Sequence, residues 1–195
     1  MKKLVPFLKN GGNLKRKDLE LLGLPEEITE LLEILNSPVR LKRHLSIVHT
    51  TAFEILKQLK IEWPILKLNQ ELILFGAATH DIGKTEITDE LFESGKKHEL
   101  TGKTILLNHG FTKEQSRFAI THGNWQDESL RIEDLLVALS DKIWKGNRVD
   151  DLEKLVGQKL SSMLNCDYWE VYGKLDSILS QIALGADEKL NWQGQ

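Results

Sequence analysis

The chain of 195 residues contains one cysteine, Cys166, so no disulfide can form within it. That usage fits a reducing compartment, and the cytoplasm is the expected location. Four prolines are too few to interrupt long helices often. No apolar run approaches the roughly 20 residues that cross a bilayer. The opening "MKKLVPFLKNGG" has a basic end, but its apolar stretch is short and broken by Pro6 and Lys9, so it does not read as a signal-peptide core. No membrane association is expected. Positive charge is not in excess: 26 Lys and Arg stand against 29 Asp and Glu, a formal net charge of −3. That argues against a general nucleic-acid-binding surface and leaves room for a local basic groove. Alternating strand patterns with hairpin turns, glycine-rich phosphate loops and internal repeats are also missing.

What remains is helix after helix. Pro25 stands where a first helical turn wants it, ahead of "EEITELLEILN". Ser37–Pro38 opens a long segment, residues 39–59, with apolar residues at helical spacing. "EWPILKLNQ" breaks it, and Asn69 can cap a helix ending near residue 81. The polar, irregular "HDIGKTEITDELFESGKKHE" reads as a site-forming loop. Helices are expected over 98–108, 112–122, 132–145, 150–163 and 168–190. Thr112 with Gln115 forms a capping-box pattern, and Gly110 and Gly146 read as C-terminal stops. The expectation is all-α: a helical extension over residues 1–36 and a helical bundle over residues 37–195.

The six histidines carry the candidate chemistry. His44 and His49 flank the stripe Leu41, Leu45, Val48, Ala52, Ile55, Leu56 and Leu59 at about equal angles, taking roughly 100° per residue, so periodicity does not choose between them. Either can be a packed, hydrogen-bonded imidazole. His80 and Asp81 are adjacent, and at a helix end both can converge on one cation. An imidazole with a carboxylate suits Mn, Fe, Co, Ni or Zn. Asp141 lies in the apolar "LLVALSDKIWKG", where a buried carboxylate needs a partner. A salt bridge to Lys142, Lys145 or Arg148 and a metal each supply one. His98 opens a helix and His122 closes one. His109, before a glycine stop, is explained by the electrostatics of a helix C-terminus.

A histidine on an early helix, then "HDIGK" at residues 80–84, then a lone aspartate on a late apolar helix resembles the HD superfamily of metal-dependent phosphohydrolases. In that family the first histidine is followed by a valine four residues on and a small residue eight on. Val48 and Ala52 meet that from His44, whereas the fourth residue after His49 is Phe53. The resemblance implies the ligands His44, His80, Asp81 and Asp141. "HELTG" from His98 and "THGNW" at His122 resemble the two extra histidines of dinuclear members, in which the equivalent of Asp81 bridges the ions. The implied cofactor is one or two divalent ions (Mn, Mg, Fe, Co or Ni), and the implied activity is cleavage of a phosphate ester by metal-activated hydroxide. Lys84, in the tight turn after Asp81, is the expected phosphate contact or transition-state stabiliser, and Arg43, Lys142, Lys145 and Arg148 are expected substrate contacts. The implied partner is a small phosphorylated substrate or nucleotide, with no stable nucleic-acid binding, and an oligomer is left open. The glycine-tyrosine-proline signature of cyclic-dinucleotide enzymes is absent. Trp63, Trp125, Trp144, Trp169 and Trp192 are expected in the core or a lid. Two other readings are an HD-type di-iron oxygenase and a non-catalytic ligand-binding or regulatory HD protein.

Overall fold

Pro25 and Pro38 each precede a helix, where a missing backbone N–H costs nothing. They introduce α1 (Glu26–Ile34) and α2 (Val39–Glu62). α3 (Gln70–Thr79) begins at Asn69, whose side chain accepts from the Leu72 N–H at 3.1 Å. Two 3-10 turns follow, Ile82–Thr85 and Thr88–Leu91, and then α4 (Lys97–Asn108), which stops ahead of Gly110 at φ +86. The chain continues through α5 (Lys113–Ser116), α6 (Phe118–Thr121), α7 (Ile132–Ile143), α8 (Asp150–Leu164), α9 (Tyr168–Ala183) and α10 (Ala186–Gln193). This computed structural model describes residues 21–127 and 129–194. Among them there is no strand, and none of the helices is long and apolar enough to cross a membrane. The extension expected over residues 1–36 is described only from Leu21 onward, where α1 is its helix.

Two expected helices are each divided. The stretch 112–122 starts with the expected capping box at Thr112 and bends at Arg117, whose Nη1 donates to the Glu114 carbonyl at 2.8 Å and so takes an acceptor the helix would use. The stretch 168–190 breaks at Leu184 and Gly185, so α10 leaves the line of α9.

Two apolar clusters organise the bundle. One gathers residues of α2, α3, α7, α8 and α9, with Leu59, Ile73, Leu136, Val156 and Leu175 at its centre. The other joins α1 to the start of α2, to α3 and to α4 through Ile28, Leu41, Leu45, Phe75 and Leu106. α2 and α3 contribute to both, so His44 and His80 fall where the clusters meet. Gly76 permits a close approach of α6 to α3: a Cβ there would lie 2.6 Å from the Phe118 ring. That approach sets α6 against α3 and brings the rings of His80 and His122 to 4.9 Å between centroids. A buried carboxylate fixes α6 on α7. Asp134 accepts from Arg117 Nε and from the Thr121 hydroxyl, each at 2.8 Å, and such buried acceptors require partners.

Candidate metal centre

Six side chains from six segments meet at that junction. His44 comes from α2, His98 from the first turn of α4, His122 from the end of α6 and Asp141 from α7. His80 caps the C-terminus of α3 with helical backbone angles, and Asp81 follows in the turn, with φ −103 and ψ 11. This change of backbone course lets two adjacent residues converge, which a continuing helix would forbid. His44 Nε2 lies 3.2 Å from His80 Nε2, 3.1 Å from Asp81 Oδ2 and 3.4 Å from Asp141 Oδ1. Asp81 turns its other oxygen, Oδ1, to His98 Nε2 at 3.1 Å and His122 Nε2 at 3.4 Å. Two triads result, His44–His80–Asp141 and Asp81–His98–His122, each with its donor atoms within 4.8 Å of one another.

Hydrogen bonding accounts for only part of this arrangement. His80 Nδ1 donates to the Ala77 carbonyl at 3.0 Å and His122 Nδ1 to the Phe118 carbonyl at 3.0 Å. His98 Nδ1 donates to Glu90 Oε2 at 2.5 Å. In the neutral imidazoles this leaves a lone pair on each Nε2, and those lone pairs face carboxylate oxygens that also only accept. Asp81 Oδ1 and His98 Nε2 are buried and have no hydrogen-bond partner. Packed acceptors repel one another unless a cation stands among them. Donors bound to one ion at about 2.0–2.2 Å stand about 3–3.6 Å apart, which matches the separations within the first triad and those of Asp81 Oδ1 from His98 and His122 in the second. The residues therefore fit divalent metal, and Asp81, with one oxygen toward each triad, fits a shared ligand.

Charge agrees. Burial alone would raise the Asp81 and Asp141 carboxyls, but the imidazoles around them hold both well below the usual carboxylate range. Burial pushes His80 down to about 4, so it is neutral and able to ligate at neutral pH. At His44 burial also acts downward, but Asp141 and Asp81 outweigh it and raise the pKa. Lys84 Nζ contacts Asp81 Oδ2 and Lys142 Nζ contacts Asp141 Oδ2, each at 2.7 Å.

The other sequence candidates are placed as follows. Lys145 lines the cleft that opens onto His44 and Asp81. Arg43 stands beside His44 but lays its guanidinium over Trp192, 5.6 Å from the ring centroid. Arg148 does not join the site. The chain turns at Gly146 (φ +76), and Glu153, Asp176 and Ser180 take up its guanidinium. His49 is 3 % exposed, pushed down to about 4 by burial, and belongs to neither triad. His109 donates Nδ1 to the Ile105 carbonyl at 2.8 Å, as a helix-end histidine. Trp63 and Trp144 are buried, while Trp169 is 73 % exposed, outside any core or lid.

Two contributors escaped the sequence reading. Arg40, one turn before His44, lines the cleft. Glu90, in the second 3-10 turn, grips the start of α4: Oε1 accepts from the Lys97 N–H and Oε2 from the His98 N–H, each at 3.1 Å, beside its bond to the His98 ring. A carboxylate behind a ligating imidazole fixes its orientation and raises its basicity. Glu90→Gln is expected to weaken cation affinity about 10–100-fold while leaving the helical circular dichroism intact, read by competition with a chelating dye.

Among the described residues the protein is an all-helical bundle whose centre carries two linked histidine–aspartate triads that could hold metal ions. The HD domain family matches residues 43–144, just over half of the chain, and the chain belongs to that family. No curated protein and no solved structure matched in the same comparisons.

Proposed function

We propose that the protein is a metal-dependent phosphohydrolase that cleaves a phosphate ester. The observation that carries this reading is an acceptor-only floor beneath a cationic rim. The floor is His44 and Asp81, one residue from each triad, and the rim is Arg40, Lys84 and Lys145, all lining one cleft. Many HD domain proteins are metal-dependent hydrolases, which supports the same class. When bound, divalent cations lower the pKa of water toward neutrality and polarise a phosphoryl oxygen.

The chain's own residues supply the rest. Ala77, Glu90 and Phe118 hold the three Nδ1 protons, so each Nε2 is presented as a lone pair without rearrangement. Lys84, on the turn beside Asp81, and Arg40 and Lys145 across the cleft are placed to take the non-bridging oxygens of a phosphoryl group, where charge stabilisation does most of the catalytic work. Trp144, 3 % exposed, and Leu41, fully buried, present an apolar wall that limits competing water. Water adds to phosphorus as the ester oxygen leaves with a proton. The small cleft favours a small phosphorylated substrate over a polymer. The cytoplasm remains the proposed location, in keeping with the single cysteine.

The test is metal analysis of the purified protein together with a screen of phosphomonoesters, phosphodiesters and nucleotides under Mn, Mg, Co and Ni. Metal-dependent release of phosphate or of an alcohol is expected, and His44→Ala is expected to lose far more metal than His49→Ala. Two bound irons with turnover that consumes dioxygen and releases no phosphate would overturn the reading in favour of an oxygenase. Failure to turn over any ester with every metal would leave a ligand-binding HD protein.

A further inference from the structure

His44 and Asp81, one residue from each triad, account for the floor of the cleft but not for its outer wall. The cavity above His44 and Asp81 is about 290 Å³, and two of its lining residues, Leu190 and Gln193, come from α10. That helix lies more than forty residues beyond the end of the HD match at residue 144. Its presence at the site depends on the break at Leu184 and Gly185, without which the chain would run on along α9.

Three contacts hold α10 there. Lys189 is 3 % exposed, and its Nζ lies 3.1 Å from Thr51 Oγ1 and 2.9 Å from Glu54 Oε2, both on α2. A buried ammonium is costly unless paired and hydrogen-bonded, so this side chain fixes α10 in one position. Arg43, the neighbour of the ligating His44, covers the Trp192 ring. Ala186 packs on the turn that ends α7, where a Cβ at Gly146 would stand 3.2 Å from the Ala186 Cβ. With α10 so held, Leu190 keeps 42 % of its surface exposed, on the cleft side of the helix where Leu41 and Trp144 form the facing wall. The Trp144 indole Nε1, a donor, is buried without a partner in that wall.

Resting on the phosphohydrolase reading, we propose that α10 builds the leaving-group half of the substrate pocket. The phosphoryl group sits over the triads with Lys84. The organic group esterified to it lies between Leu190 and Trp144, its polar edge met by the Gln193 amide. Leu190 and Gln193 are thus specificity-determining residues, and Lys189 is a positioning residue. The volume admits one organic phosphate carrying a single ring system, at the lower end of the roughly 300–1,000 Å³ of small-molecule sites. An oligonucleotide does not fit.

The test uses full-length manganese-loaded protein and two non-hydrolysable or minimal probes, phenylphosphonate and inorganic phosphate, titrated by calorimetry. Wild type is expected to bind phenylphosphonate more tightly than phosphate. Leu190→Ala and Gln193→Ala are each expected to weaken phenylphosphonate about tenfold while leaving phosphate affinity and metal content unchanged. Turnover of phenyl phosphate should show the same loss in KM rather than kcat. Gln193 lies in the last turn of α10, so its variant remains informative if Leu190→Ala loosens the helix. Unchanged phenylphosphonate affinity in both variants, or equal binding of the two probes by wild type, overturns the role of α10 and leaves the hydrolase reading standing. Selective loss of phenylphosphonate in a protein that hydrolyses no ester supports the pocket and overturns the hydrolase reading.

Discussion

Replacing Asp81 with asparagine is expected to abolish cation binding at both halves of the candidate metal centre at once. Its carboxylate turns one oxygen toward each triad: Oδ2 lies 3.1 Å from His44 Nε2 and 3.7 Å from His80 Nε2, while Oδ1 lies 3.1 Å and 3.4 Å from His98 and His122. Asparagine keeps the shape and removes the charge. It also puts an N–H₂ group toward imidazole lone pairs or toward Lys84, which satisfies neither triad as a carboxylate does. Loss of a supporting residue costs about 10–100-fold in affinity or activity, so loss of the shared ligand should cost at least about 10³-fold in turnover. Metal content, measured by mass spectrometry after gel filtration, should fall with it. His49→Gln provides the control, being on the same helix as His44 but outside both triads. Acid should imitate the variant. The raised His44 pKa means that its proton competes with metal from above the ordinary 6.5, and uptake weakens as pH falls. An Asp81→Asn protein with full metal content and turnover would rule out the shared-ligand arrangement.

Some of this site was readable in the order of residues, and some was not. The His80–Asp81 pair and the apolar helix carrying Asp141 stood out because charge in an apolar run needs a reason. The choice of His44 over His49 did not emerge from the helical wheel, since both flank the buried stripe. Only resemblance separated them, and in the fold His44 joins a triad while His49 is buried elsewhere on α2. Glu90 left no periodic signal. It lies in an irregular turn eight residues before the histidine it orients, and only tertiary packing joins them. Proximity in sequence misled at Arg148. It follows Asp141 by seven residues, but the left-handed turn at Gly146 sends it toward the buried acid Glu153. The all-helical class followed from spacing and the absence of strand patterns, whereas the break before α10 depended on one glycine in an otherwise continuous helical pattern.

The glycine of the "HDIGK" string also has a reason that only the folded chain displays, and it leads to the second large effect. Gly83 does not adopt a positive φ, so conformational freedom is not what is needed there. Space is. A Cβ at Gly83 would stand 2.0 Å from the His98 carbonyl oxygen and 2.6 Å from the Gly102 nitrogen. Both are backbone atoms of α4, and backbone in a helix cannot swing aside as a side chain can. Gly83→Ala is therefore expected to push α4 away from the turn that follows Asp81. Overpacking of this kind costs about 3 kcal/mol, enough to lower the denaturation midpoint clearly. The displacement acts mainly on the Asp81–His98–His122 triad, because His98 rides on α4. His44, His80 and Asp141 belong to α2, α3 and α7, and their triad should be less affected. Metal stoichiometry should thus fall further than the helical content does. Gly102→Ala, whose Cβ would meet its nearest neighbours at 3.1 and 3.2 Å, should be milder on both counts. If the two alanine variants proved equally stable and retained equal metal, the close approach of the turn to α4 would not be what requires glycine at position 83.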